Sequence, residues 1–288
     1  MKVKFLTMCF WILLFSPEQT FANDKNIEAL AAPLGEAVVD QWNFSLLVGY
    51  AAIENPLTKR DNIDTYLLPT WSYYGEHFYI DNTSIGYSLI EKDTFLLDVS
   101  GYLNEEGAIF NLDNANLSFL DISNYVPKKN WRPNAPEPEY EKIERDFTYM
   151  AGVTIHWLNE YIQARLVYGK DISVGHNGEE LTLSLFNYYQ YGNFKINWQL
   201  GAVRKSKKLV DYYFDFRPNE INGVTDTGLD LTAITNTFAQ VAVSYKISEN
   251  WDYVISVKQT WLDDTLLISP ILAKDDYFKV LTGINYKF

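Results

Sequence analysis

Few residues of this 288-residue sequence have the chemistry of a catalytic centre. Its three histidines fall in a tight turn (His77), on the polar face of an alternating stretch (His156) and in a loop rich in glycine and asparagine (His176). Acidic pairs stand at 263–264 and 275–276. Together with His176, these pairs could form the acids and base of a hydrolase at one rim of the molecule.

The simpler interpretation is that the acidic pairs are solvated loop charge and that His156 is a hydrogen-bonded interior group. The sequence has no cluster of histidines or cysteines at metal-ligand spacing, no phosphate loop and no dinucleotide fingerprint. We therefore predict a protein that is not an enzyme, with no catalytic residues, no metal site and no cofactor.

A second set of charges recurs on the polar faces of alternating segments. These charges are expected to face an interior. The set comprises Asp98, Arg165, Lys195, Lys246, Asp252, Lys258 and Lys279. One interpretation is a plugged interior held by ion pairs and hydrogen bonds. The other is a narrow pore that favours anions. The plugged interior is the preferred interpretation, and the pore remains as the alternative.

The last stretch of the chain shows what kind of element positions these charges. In 276–288, side chains alternate strictly between two faces, which is typical of a strand with a different solvent on each face. The face expected to meet lipid carries Phe278, Val280, Ile284, Tyr286 and Phe288. An amphipathic final strand that ends on an aromatic residue is typical of bacterial outer-membrane β-barrels. We interpret it as the closing strand and assembly signal of such a barrel.

The same alternation returns along the chain and predicts an all-β fold, an antiparallel transmembrane β-barrel of the bacterial outer membrane. Counting backward from 288, short turns alternate with longer connections, as in barrels with short periplasmic turns and an even strand number. The count is twelve strands, within a range of ten to fourteen, provided that 78–90 is two strands divided at 81–83. Pro69 lies inside a strand, so a bulge or weak pairing is expected there. Long outer loops are predicted near 104–145, 204–234 and 262–275, the first of them exposed to solvent.

The remaining features agree with an exported barrel. Residues 1–22 combine a positive start, a short apolar run and a small-residue cleavage site, which predicts a secretory signal peptide. Residues 23–40 are expected to form a short periplasmic lead-in, and 41–288 a single barrel domain. The net charge of −13 argues against a nucleic-acid partner. Aromatic residues make up 16% of the chain, and an aromatic girdle is predicted from Trp42, Trp71, Trp157, Trp198, Trp251 and Trp261.

An ordered series of short motifs resembles the MipA/OmpV family of outer-membrane proteins. The series comprises WNFSL at 42–46, DTYLLP at 64–69, IGYSL at 85–89, YYF at 212–214, SP at 269–270 and the ending TGINYKF at 282–288. The resemblance implies a barrel in contact with outer-membrane lipid, lipopolysaccharide and the barrel-assembly machinery. It also implies a scaffold that links a membrane-bound lytic transglycosylase to a bifunctional penicillin-binding protein in murein synthesis. The alternative function is a narrow channel or uptake pore.

Overall fold

Twelve antiparallel strands close into one barrel in the computed structural model, as predicted. The structure describes residues 40–111, 143, 145–173, 175–217, 220 and 229–288. Each strand pairs with its neighbours in sequence, and β1 pairs with β12 to close the barrel. The strands are β1 Trp42–Ile53, β2 Ile63–Tyr74, β3 Phe78–Asp81, β4 Ser84–Lys92, β5 Phe95–Leu103, β6 Tyr149–Trp157, β7 Gln163–Asp171, β8 Glu179–Tyr191, β9 Phe194–Lys205, β10 Ile234–Lys246, β11 Trp251–Trp261 and β12 Asp276–Lys287.

The alternation in sequence becomes an alternation between lipid and lumen. In β12, Phe278 and Ile284 are exposed on the outside, whereas Lys279 and Asn285 are buried inside. In β10, Val241 is 52% exposed beside the buried Ala242. A closed barrel satisfies the backbone hydrogen bonds of its strands without exposing an edge, which is why strands with this pattern can cross a bilayer. No helix in the described part of the chain is long and apolar enough to span a membrane.

Two irregularities adjoin β2. Pro69 of β2 lies opposite Leu46 of β1, and the register of this pair shifts between Val48 and Ala51, close to the position where irregular pairing was expected. The second irregularity is β3, which has only four residues. The residues Asp81, Asn82 and Thr83 do divide 78–90 into two strands, since β3 ends at Asp81 and β4 begins at Ser84.

The two ends of the barrel differ. Short turns join β2 to β3, β4 to β5, β6 to β7, β8 to β9 and β10 to β11, and we name that end periplasmic and the other end outer, following the rule for bacterial barrels. Three of the outer connections contain helices, which are α1 (Glu105–Asn111), α2 (Lys207–Phe214) and a 3-10 helix (Asp264–Ile268).

The expectation that 104–145 is solvent-exposed throughout was wrong at its start. Helix α1 turns inward, and its residues 106–110 are buried. The physical reason is its apolar side chains Ala108, Ile109 and Phe110, which bury more favourably in the lumen than in water. The rest of that connection up to 142, the predicted signal peptide and residues 23–39 lie outside the described residues.

Candidate functional site

The outer half of the lumen is filled by the protein's own helices. Phe110 of α1 packs against Tyr213 and Phe214 of α2, with ring centroids 5.7 and 6.2 Å apart. Leu266 of the 3-10 helix is fully buried in the same apolar cluster, which continues onto inward-facing strand residues such as Leu47. We call α1, α2 and the 3-10 helix the outer plug.

The size of the barrel explains why the outer plug fills it. Twelve strands about 4.8 Å apart and tilted by about 40° enclose a backbone radius of roughly 12 Å. A helix with its side chains is about 10–12 Å wide. Two helices beside the inward strand side chains therefore take up most of the width of the outer lumen.

A layer of ion pairs joins α1 to the barrel wall. Glu105 lies 2.9 Å from the ammonium nitrogen of Lys279 and 3.6 Å from that of Lys258. Glu106 pairs with Lys205, which also lies 3.9 Å from Glu180. Burial alone would raise the pKa of Glu105, but the facing ammonium groups of Lys258 and Lys279 outweigh it and hold that pKa below its ordinary value. The pairs fix the position of α1 in the lumen. The Glu106–Lys205 pair is buried and is therefore little screened by salt, whereas the Glu105 side chain is 36% exposed.

A cavity of about 130 Å³ lies beside this charged layer. Its wall includes three carboxylates (Asp81, Glu105 and Glu180) and three cations (Arg165, Lys205 and Lys258). Aromatic rings complete it, among them Tyr102, Phe238 and Tyr277. The ammonium group of Lys258 lies 4.4 Å from the centre of the Phe238 ring, a distance at which a cation is attracted to the ring face. The cavity is therefore lined by both charged and apolar groups, and its formal charges balance.

The lumen is packed again towards the periplasmic end. Asp98 and His156 lie 3.8 Å apart, and both side chains are fully buried. The guanidinium of Arg165 stands over the ring of Phe186 at 5.8 Å. Phe186 packs with Leu96 and Leu158 in a second apolar cluster. The described residues thus occupy the lumen from both ends and leave the cavity between them.

His176 is a structural residue rather than a catalytic base. Its Nδ1 accepts the backbone N–H of Gly178 at 2.8 Å, so its Nε2 carries the proton and donates to Thr148 Oγ1 at 3.1 Å. A histidine that donates to a hydroxyl cannot remove its proton. Burial lowers the pKa of His176, although the charge of Asp171 opposes this shift. The lowered pKa favours the neutral ring.

The acidic pairs do not join His176. Asp263 accepts from Thr265 and from the backbone N–H of Thr235, and so caps the 3-10 helix. Asp276 accepts from Gln259 across the β11–β12 pair. These carboxylates have structural partners of their own, and the hydrolase constellation is not assembled. Among the described residues, no group of three or more histidines, cysteines and carboxylates is placed to hold a metal ion.

Arg145 holds two outer connections together. Its guanidinium donates to the backbone carbonyls of Tyr212 and Asp215 and, through both terminal nitrogens, to Glu220 at 2.5 and 2.9 Å. The Arg145 side chain is fully buried, and its charge lies 6.0 Å from the centre of the Phe110 ring. We call this group of contacts the Arg145 clamp. It links the chain before β6 to α2 and to the chain that follows α2.

Comparison with known proteins agrees with this architecture. The sequence matches the family described as "MltA-interacting protein MipA" over residues 46–288. The chain belongs to the MipA family. Its relatives include the MltA-interacting protein of Escherichia coli (strain K12), 22% identical over 86% of this chain and 91% of the relative. They also include YiaT of the same strain, provisionally named as an outer membrane protein, 24% identical over 92% of this chain and 99% of the relative.

Solved structures share less with this MipA-family chain. A loop-deletion form of OmpT, an outer membrane protein of Vibrio cholerae, is 8% identical and covers 86% of this chain and 99% of its own, with a TM-score of 0.34. The family match, the names of the relatives and the closed barrel together establish a protein of the outer membrane.

The predicted lumen charges of this MipA-family barrel lie in three places. Lys258 and Lys279 meet Glu105 in the charged layer, and Asp98 and Arg165 belong to the packed region below. The others lie near the periplasmic end. There, Asp252 pairs with Lys287 at 2.7 Å, and Lys195 stands over the ring of Tyr188 at 5.2 Å. Lys246 is exposed at the last pair of β10 with β11, where it lies opposite Asp252.

The predicted girdle tryptophans are not all at strand ends. Four lie near the periplasmic end (Trp42, Trp71, Trp157 and Trp251), and Trp261 ends β11 at the outer side. Trp198 is opposite Val241, inside β9 and away from both ends. Trp71 donates its indole N–H to the carbonyl of Asn82 at 2.9 Å, so this ring also ties β2 to the β3–β4 turn.

Proposed function

We propose that this MipA-family protein is a non-catalytic outer-membrane barrel that acts as a docking platform for murein enzymes at its periplasmic end. The observation that carries the proposal is the packed lumen, in which the outer plug, the ion-pair layer and the Leu96–Leu158–Phe186 cluster occupy the interior. A barrel with a filled lumen can bind partners at its surface but does not provide a path for solutes. The name of the MltA-interacting relative supports a lytic transglycosylase as the first partner. A bifunctional penicillin-binding protein is proposed as the second partner from the family resemblance alone.

The periplasmic turns carry side chains suited to such contacts. Tyr161 in the β6–β7 turn is 81% exposed, and Tyr191 at the end of β8 is 87% exposed. The side-chain amide of Asn187 donates to the carbonyls of Glu160 and Tyr161 at 3.1 and 2.7 Å, which fixes the first turn to β8. Exposed tyrosines on a fixed backbone are favoured in protein interfaces because they bury large area at low entropic cost.

The test is photo-crosslinking in the native envelope. A benzophenone amino acid replaces Tyr161 or Tyr191, and the matched control carries it at Ile268, which is 53% exposed at the outer end. Adducts with a lytic transglycosylase at both tyrosine positions and none at Ile268 are the expected result. Recovery of lipopolysaccharide and unrelated porins alone would overturn the docking proposal.

The narrow channel is the less favoured alternative. A conducting path would have to pass the Phe110–Tyr213 contact at the outer end and the Phe186 cluster at the periplasmic end. Stepwise single-channel currents from the purified barrel in a planar bilayer would favour the channel over the platform.

A further inference from the structure

The loop between β7 and β8 is in close contact with the start of α2. The backbone N–H of Glu179 donates to Ser206 Oγ at 2.8 Å, and the N–H of Ser206 donates to the carbonyl of Glu179 at 2.9 Å. A Cβ added to Gly178 would stand 2.7 Å from the Leu209 nitrogen and 2.8 Å from the Leu209 Cβ. The loop backbone therefore cannot shift towards α2 without displacing the helix.

A continuous chain of hydrogen bonds runs from this loop through His176 to α2. The N–H of Gly178 donates to His176 Nδ1, and His176 Nε2 donates to Thr148 Oγ1. Because each hydroxyl has one hydrogen to donate, Tyr213 donates to the carbonyl of Asp146 at 3.2 Å, and Thr148 donates to Tyr213 at 3.1 Å. Hydrogen bonds in such a chain polarise and strengthen one another. The first of them requires an unprotonated Nδ1.

Protonation of His176 would break that first hydrogen bond. A charged imidazole carries a hydrogen on both ring nitrogens, so Nδ1 would direct an N–H at the N–H of Gly178, only 2.8 Å away. Gly178 is buried, and a buried N–H without an acceptor is unfavourable. The loop must then move, and Leu209 lies directly against it.

The surroundings of His176 decide when it takes up a proton. The titratable groups around it are Asp171 of β7, Asp146 before β6, Tyr212 and Tyr213 of α2, and Glu180 of β8. Asp171 lies 3.8 Å from Nδ1, but its carboxylate already accepts three backbone N–H groups of the loop. Burial outweighs the charge of Asp171 and lowers the pKa of His176. The opened form therefore binds the proton first, and acid favours opening.

We propose that the β7–β8 loop is a proton-operated latch on the outer plug, in which protonation of His176 displaces Gly178 and releases the start of α2. The Arg145 clamp holds the other end of α2. The helix should therefore open as a lid that is hinged at the clamp. Opening exposes Leu209 and Val210, both fully buried in the closed plug.

Labelling of a buried thiol measures the opened fraction. Val210→Cys places this thiol on α2 of the full-length barrel in lipid nanodiscs, with Cys9 replaced by serine, and the reagent is a dithiodipyridine. The exposed Lys208→Cys reports the intrinsic thiol reactivity at each pH. About pH 5 lies between the ordinary pKa values of histidine, about 6.5, and glutamate, about 4.3, so Glu220 keeps its charge. From about pH 7.5 to about pH 5, the ratio of the two labelling rates should rise about fivefold to thirtyfold.

His176→Asn is the matched control. Its side-chain oxygen can accept the N–H two residues further on, as in an Asx turn, and so hold Gly178, but it takes up no proton in this pH range. Its rate ratio should stay nearly constant. No rise with a histidine at this position, or an equal rise in His176→Asn, would overturn the latch, provided that both barrels keep their heat-dependent gel shift.

A second variant tests the hydrogen-bond chain itself. Tyr213→Phe removes one hydroxyl from the chain and leaves His176 in place, so the thiol at Val210 should react faster at both pH values. Labelling of Tyr213→Phe at the unchanged rate near pH 7.5 would contradict a role for the chain in holding α2.

Discussion

Replacing Arg145 with alanine should release the outer plug while the strands remain paired. The guanidinium bridges Glu220 and the carbonyls of Tyr212 and Asp215. It joins the chain before β6 to the chain around α2, together with the hydrogen bonds of Asp146 and Thr148 to the tyrosines of α2. None of these groups belongs to a strand. The effect should therefore be local to the outer end.

The magnitude follows from the burial of the two partners. Removing one member of a buried ion pair costs about 3–5 kcal/mol. The side chain of Arg145 is fully buried, but that of Glu220 is 21% exposed, so water replaces part of the lost attraction and the lower figure applies. The free energy of plug opening should fall by about 3 kcal/mol, which raises the opened population roughly a hundredfold.

Limited trypsin digestion of the reconstituted barrel measures this population. Lys207 and Lys208 at the start of α2 are the reporting sites, and cleavage follows the opened fraction when reclosing is fast. The control is Arg204→Ala, since Arg204 is exposed and makes one long hydrogen bond of 3.4 Å to Thr235. Arg145→Lys should behave nearly like alanine, because a single ammonium group cannot bridge the separate acceptors. If Arg145→Ala is cut no faster than Arg204→Ala, the clamp does not hold the plug.

Two further predictions concern the faces of the wall and the response to acid. Val241→Arg, on the lipid side of β10, should lower the free energy of unfolding in lipid by about 2–4 kcal/mol. Gln240→Arg, which faces the lumen, should lower it by less. Equal urea midpoints for the two variants would refute the face assignment. Acid should loosen the plug in two stages, measured by hydrogen exchange of α2 corrected for intrinsic rates. Burial lowers the pKa of His176 in the closed plug, so the opened form binds a proton first, and the stability of the closed plug falls below about pH 6.5. For Glu220, burial raises the pKa but the hydrogen bond from Arg145 outweighs it and lowers the pKa. The stability that Glu220 contributes is therefore lost only below about pH 4.3. His176→Gln should remove the first stage alone, and an unchanged acid profile in that variant would contradict this assignment.

The barrel was predictable because lipid on one side and the polar lumen on the other impose an alternation of apolar and polar residues along each strand. A residue of β12 faces either lipid or lumen, and a slip of one residue would exchange the faces. The count of twelve followed from turn residues, including Asp81, Asn82 and Thr83 in the middle of an otherwise continuous stretch. The sequence did not indicate that β9 continues to Lys205, since the partner of that lysine is Glu106, far away along the chain.

A plugged interior was the preferred interpretation, but helix α1 and the Arg145 clamp were missed, for two different reasons. A helix signal was present at α1, where Asn104 precedes two glutamates and its side-chain oxygen accepts the N–H of Glu106 at 3.0 Å. The acidic, proline-containing composition of the whole stretch obscured it. No such signal existed for Arg145, because its partner Glu220 is 75 residues away and belongs to another connection. Contacts between outer loops depend on the closed barrel that brings them together.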